Sequence, residues 1–160
     1  MSEAGSGVAA ALTGADRFQV RLGLTGGPLL ADEPVAAGGL ASGPGPYELL
    51  SAGLAACTAM TLNLYAARKG WDLTGLEVRV AHARAGGADR FTRQISFGAA
   101  LDEEQRARLL EIADRCPVHR TLEGGAEIVT LVADAIDESL GAEPAVQHAQ
   151  DMREACAQQG

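Results

Sequence analysis

A chain of 160 residues with 47% hydrophobic residues and only 4% aromatics is long enough for one ordinary globular domain, whose core must be filled by Ala, Leu and Val rather than large rings. A formal charge of −8 argues against a sequence-independent hold on nucleic acid, which needs clustered Lys and Arg to displace counterions. Cys57, Cys116 and Cys156 are too few and too scattered for a secreted disulfide framework. The start MSEAGSGVAA carries neither a basic nor a long apolar stretch, so the expected compartment is the cytoplasm, where thiols stay reduced.

Residues 1–15 are small and without periodicity and are expected to form a flexible arm. From Arg17 the chain alternates, with Phe18, Val20, Leu22 and Leu24 on one side, the period of a half-buried strand, and Gly26-Gly27-Pro28 turns it into a hairpin. The stretch GGLASGPGP ends at Pro46, suited to a first helical position, with Glu48 in the first turn. The helix it opens is expected to reach Lys69 and stop at Gly70. Leu49 to Ala67 carries no charge, but its Ser, Thr, Asn and Gly residues and many alanines predict a buried helix and not a membrane span.

A second hairpin is predicted around Gly86-Gly87, between the runs Leu76, Val78, Val80 and Phe91, Ile95, Phe97. Asp102 and Gln105 form a candidate capping box for a helix with a Leu109, Leu110, Ile112, Ala113 stripe, which must end at Cys116 because Pro117 follows. Ala126–Val132 is read as a final strand, and residues 137–160 as a polar tail with a possible amphipathic helix near Val146–Ala157. The folded domain is thus expected over 16–136. Its class is α+β with mainly antiparallel strands.

The thiols stand out chemically. Cys57 lies within the apolar helix, where a lone cysteine reads as a small inert hydrophobe. Cys116 differs: Pro117 opens a short turn, PVHRTL, that would set the thiol at a helix N-cap facing free N–H groups, a position that lowers a thiol pKa. Arg115, His119 and Arg120 flank it as candidate cations, or as solvated charges. His119 with Cys57 and Cys116 makes only three soft ligands, with no CxxC pair, so no metal is expected. Nor is a cofactor. His82 and Arg93 fall in phase with apolar strand residues and need partners, with Arg93 the better functional candidate. His148, Met152 and Cys156 share one helical face in a tail read as frayed. The glycine stretch lacks the GK[ST] ending of a phosphate loop.

Taken together, GPGPYELLSAGLAACTAMTLNLYAARKGWDL and, further on, LDEEQRARLLEIADRCPVHRTL resemble the OsmC and organic hydroperoxide resistance superfamily over about Ala31 to Val132. The resemblance implies an intertwined homodimer, with antiparallel sheets wrapped around long central helices. The small residues Ala52, Gly53, Ala55, Ala56 and Ala59 would permit their close approach. It also implies a cysteine-based reduction of organic hydroperoxides, with Cys57 the peroxidatic thiol, Cys116 the resolving one and an external dithiol as reductant. Peroxidases of the family place a glutamate directly after the helix-starting proline and an arginine in the preceding segment. Here Tyr47 stands after Pro46 and Glu48 one place later, on the side of the helix opposite Cys57 at about 100° per residue. The loop ADEPVAAGGLASGPG has no arginine, so support for the thiolate must come from Arg17, Arg93, Arg115, Arg120 or His119. Two readings follow: a thiol peroxidase, or a member of the same fold turned to thiol redox sensing or small-ligand binding.

Overall fold

The computed structural model describes residues 7–137, 140 and 146–157. The chain divides into two compact units, Met1–Leu50 with Ala133–Ala145, and Ser51–Val132 with Val146–Gly160. The architecture is α+β with antiparallel pairing throughout its strands.

In the first unit β1 (Ala9–Leu12), β2 (Val20–Leu24) and β3 (Gly27–Ala31) form a sheet in that order. The alternation read from Phe18 becomes strand only at Val20. Asp16 Oδ1 accepts from the Phe18 and Gln19 N–H groups at 2.9 and 2.7 Å, an Asx turn that takes Phe18 out of the ladder. β1 falls among residues expected to be a loose arm. Its small side chains give no periodic signal, and it exists through its pairing with β2. The glycine-rich loop that follows closes on itself: Asp32 accepts from the Leu40 and Ser42 N–H groups and the Ser42 hydroxyl. A Cβ at Gly39 would collide with the Glu33 carbonyl, and one at Gly43 with that of Leu30.

Helix α1 (Pro46–Lys69) starts in the first unit and continues through the second, ending at Gly70 with φ +67° as expected of a C′ glycine. It is long and apolar enough to cross a membrane. Within the second unit, however, its Leu54, Cys57, Thr58, Thr61, Leu62, Tyr65 and Ala66 are buried in protein, the spacing of one helical stripe. β4 (Glu77–Ala85) and β5 (Ala88–Ser96) make the second hairpin, turned by Gly86 and Gly87 at φ +58° and +81°. The register sets Val78 against Ile95, Val80 against Arg93 and His82 against Phe91. α2 (Glu103–Ala113) begins with the Asp102–Gln105 capping box, and α3 (Pro117–Gly124) with Cys116 at its N-cap.

Two expectations fail. Residues 126–132 form no strand, and Ile128, Val129, Leu131 and Val132 are exposed; their β propensity has no ladder partner among the described residues. The helix expected near Val146–Ala157 is present as α4 (Gln147–Ala157), but it is not frayed, since it buries Ala155 and Cys156. Cys156 joins the main core of Leu62, Tyr65, Ala66, Leu73, Leu109, Ile112 and Ala113. Leu62 is wholly buried there, so Leu62→Ala is expected to cost about 2–5 kcal/mol, read from the urea midpoint. A loss under about 1 kcal/mol would show that α1 and α2 do not share a packed core.

Candidate active site

The second buried cluster consists of Leu54, Cys57 and Cys116, with Val80, Phe91, Val118 and Leu122 packed on it. α1 presents Cys57, one turn after the poorly helical Gly53 and on the same stripe as Leu54 and Thr61. Cys116 arrives from a different rule: Pro117 at the first helical position frees the N–H groups of the next turn, and the N-cap side chain faces them. Both thiols are free and buried, and both belong to this one cluster. The wide separation in sequence is thus closed by the fold.

The surroundings of the two sulfurs differ. The Val118 N–H donates to Cys57 Sγ at 3.5 Å, and His148 Nε2 of α4 stands 3.2 Å from the same atom. Cys116 Sγ lies 3.7 Å from the Thr58 hydroxyl. That hydroxyl also reaches the Leu54 carbonyl at 2.8 Å and accepts from Arg93 Nη1 at 3.0 Å. Arg93 is completed by the Ala113 carbonyl at 3.1 Å and Asp114 Oδ1 at 2.8 Å. The polar residue on the apolar strand face is therefore the guanidinium of the site, carried in from β5.

A buried pair of sulfurs this close holds one negative charge far more readily than two. The charge belongs on Cys116. The Cys57 thiol beside it, then the His119 N–H, the Thr58 hydroxyl and the Arg93 charge, bring its thiol down to about 5 against the opposing effect of burial. Cys57, beside Cys116 and buried, is held well above its ordinary value, with the Val118 N–H opposing. Burial also raises Cys156, whose Sγ donates to the Thr61 carbonyl at 3.7 Å; that thiol is a core group.

Other candidates lie elsewhere. His119 contributes its backbone N–H, while its imidazole sits 3.4 Å from Glu123. Arg115 and Arg120 line a groove with Asp151 and Glu154 instead of turning to the thiols. Arg17 is exposed in the first unit, and Tyr47 and Glu48 are exposed on the first turn of α1. His82 lies 2.9 Å from Asp89 and stacks on Phe91. Among the described residues no group of three or more His, Cys, Asp or Glu side chains has metal-holding geometry. His148 was visible only as one member of a helical face; nothing in a polar tail points to a sulfur far away in sequence.

The family model described as OsmC-like protein matches residues 39–130. The chain belongs to that family. The OsmC-like fold is shared with a putative osmotic stress induced and detoxification response protein from Psychrobacter arcticus, with a TM-score of 0.61 at 22% identity over 71% of this chain and 85% of that one. An OsmC-like protein from Mycoplasma pneumoniae gives 0.59 at 24% identity, over 74% and 87%. The organic hydroperoxide resistance protein OhrB of Bacillus subtilis gives 0.54 at 22%, over 74% and 90%. No curated protein is significantly similar to the chain.

The electrostatics of Cys116 carry a pH signature. Its thiol is lower in the folded chain than its ordinary 9.0, so the thiolate's stabilisation is fully present above about pH 9 and is lost as pH falls towards 5. Cys57, raised in the fold, reverses the gain above pH 9. Denaturant midpoints are expected to climb from pH 5 to 9 relative to Cys116→Ser, and the climb is expected to shrink in Arg93→Met. Parallel curves for wild type and Cys116→Ser would rule out a stabilised thiolate.

Proposed function

We propose that this OsmC-like protein reduces organic hydroperoxides through the Cys57–Cys116 pair. Cys57 attacks the peroxide oxygen and becomes a sulfenic acid, Cys116 resolves it as a disulfide, and an external dithiol restores both thiols. The observation that carries this reading is the packing of two free thiols from distant parts of the chain into one buried cluster. A pair packed in one cluster is placed for a disulfide, and its single charge rests on Cys116 as a thiolate at neutral pH. Likeness to an organic hydroperoxide resistance protein supports the substrate class, and the reduced thiols suit the cytoplasm.

A reversed assignment is favoured by one observation: Arg93, the Thr58 hydroxyl and the α3 N–H groups all favour the anion on Cys116. Trapping separates the two. On stoichiometric alkyl hydroperoxide, Cys57→Ser is expected to abolish consumption, while Cys116→Ser turns over once and leaves sulfenic acid on Cys57, read by dione capture and intact mass. Sulfenic acid on Cys116, with Cys57→Ser still reactive, would exchange the roles. Thiols no faster than free cysteine would leave the redox sensor or ligand-binding reading in its place.

We also propose a homodimer. Ile128, Val129, Leu131 and Val132 are a strand-forming segment left open to solvent, and Met60 of α1 is about half exposed along the side that carries Ala52, Gly53 and Ala56. A second copy would cover both. Sedimentation equilibrium at micromolar concentration is expected to give twice the 16.4 kDa chain mass; the monomer mass would exclude the intertwined arrangement.

A further inference from the structure

α4 lies outside residues 39–130, the part that matches the family model, yet it delivers a side chain to the reacting sulfur. His148, Met152 and Cys156 recur at one-turn steps along one face of the helix. Cys156 pins that face to α1 through the Thr61 carbonyl, and His148 meets Cys57 Sγ at 3.2 Å. Two contacts on one face fix the helix against α1, so the imidazole is held at the sulfur by the core itself.

Cys57 needs such a group. Arg93 is engaged by Thr58, Ala113 and Asp114, and its charge acts on Cys116. The loop before α1 supplies no arginine. A thiol buried beside an anionic neighbour is a poor nucleophile until its proton has somewhere to go.

We propose that His148 is the general acid–base of the Cys57 reaction. The inference rests on the hydroperoxide reading of the same site. The imidazole Nε2 takes the Cys57 proton, and the sulfur electron pair attacks the terminal peroxide oxygen. The S–O bond forms as the O–O bond breaks, and the departing alkoxide takes the proton back from Nε2. One thiol and one hydroperoxide become one sulfenic acid and one alcohol; sulfur loses the two electrons that the peroxide gains. Cys116 then attacks the sulfenic sulfur, water leaves, and the external dithiol reduces the disulfide.

Among the described residues, the charged and titratable groups around Cys57 are few. α3 brings the Cys116 thiol, β5 brings Arg93 with its partner Asp114, and α4 brings His148. β4 brings Val80 to the cluster, its His82 being held by Asp89. A change at His148 is therefore readable on Cys57 once Cys116 is removed.

The test uses the full chain carrying Cys116→Ser, with His148→Ala and His148→Gln added singly. Cys57 alkylation by iodoacetamide is followed by intact mass from pH 6 to 10.5, alongside the single-turnover rate of stoichiometric tert-butyl hydroperoxide reduction at pH 7. Both variants are expected to slow alkylation at neutral pH by about tenfold or more and hydroperoxide reduction by about a hundredfold. The alkylation rates converge at high pH, where the thiol ionises unaided. His148→Gln keeps the bulk and a hydrogen-bond donor, and equal melting temperatures show that α4 stays docked. A pH profile unmoved in both variants overturns the proposal. So does alkylation that quickens at every pH, which would make His148 a cover, or full rescue by glutamine, which would make it a hydrogen-bond donor only. Because alkylation needs no peroxide, the two readings fail separately. Histidine-dependent alkylation without the single round of hydroperoxide reduction sinks the peroxidase and keeps the histidine–cysteine pair; an unchanged single-round rate in His148→Ala keeps the peroxidase and removes His148 from it.

Discussion

Two thiols buried in contact cannot both be anions, and most of the second unit's polar design follows from that restriction. Pro117 is the element that sets it up. Without an N–H to donate, proline cannot continue α2 and begins α3 instead, so Cys116 becomes an N-cap whose side chain faces unbonded donors. α1 then has to bring a polar partner to Cys116 from within an apolar helix. Thr58 does this while returning its hydroxyl to the Leu54 carbonyl one turn back.

The cation of the site comes from a sheet. Arg93 occupies an inward position of β5, opposite Val80, where a guanidinium is expensive unless every donor is matched. The matches are Thr58, Ala113 and Asp114, which tie β5 to α1 and to the end of α2. One side chain thereby links three elements and charges the Cys116 side of the pair. The family's peroxidases are expected to draw such support from the loop before the central helix. In this chain that loop is spent on its own closure around Asp32, and Tyr47 and Glu48 remain on an exposed first turn.

The asymmetry of the two sulfurs has a chemical consequence. Fixed positive charge, backbone donors and a hydroxyl gather at Cys116, which suits a stable anion. An imidazole and a single N–H meet Cys57. Under the mechanism proposed above, stabilising an anion and moving a proton are tasks divided between the two sulfurs.

Local rules determined much of this protein. Alternation, glycine turns, the Asp102 capping box, the Pro46 start and Gly70 stop of α1, and the Pro117 break at Cys116 all act over a few residues, and each is visible as such in the order of the amino acids. The meeting of Cys57 with Cys116 was legible only through resemblance to a family, since it depends on how α1 and α3 pack. Among Arg93, Arg115, Arg120 and His119, proximity to Cys116 along the chain pointed to the last three. Packing chose Arg93, because a strand face turned to the core leaves its side chain little water to bond. Residues 126–132 carry strand propensity that no described neighbour satisfies, since a ladder needs a second edge. His148 is the opposite case: ordinary in a polar tail, it gained its place when Cys156, one residue type with a strong preference for the interior, carried the helix into the core.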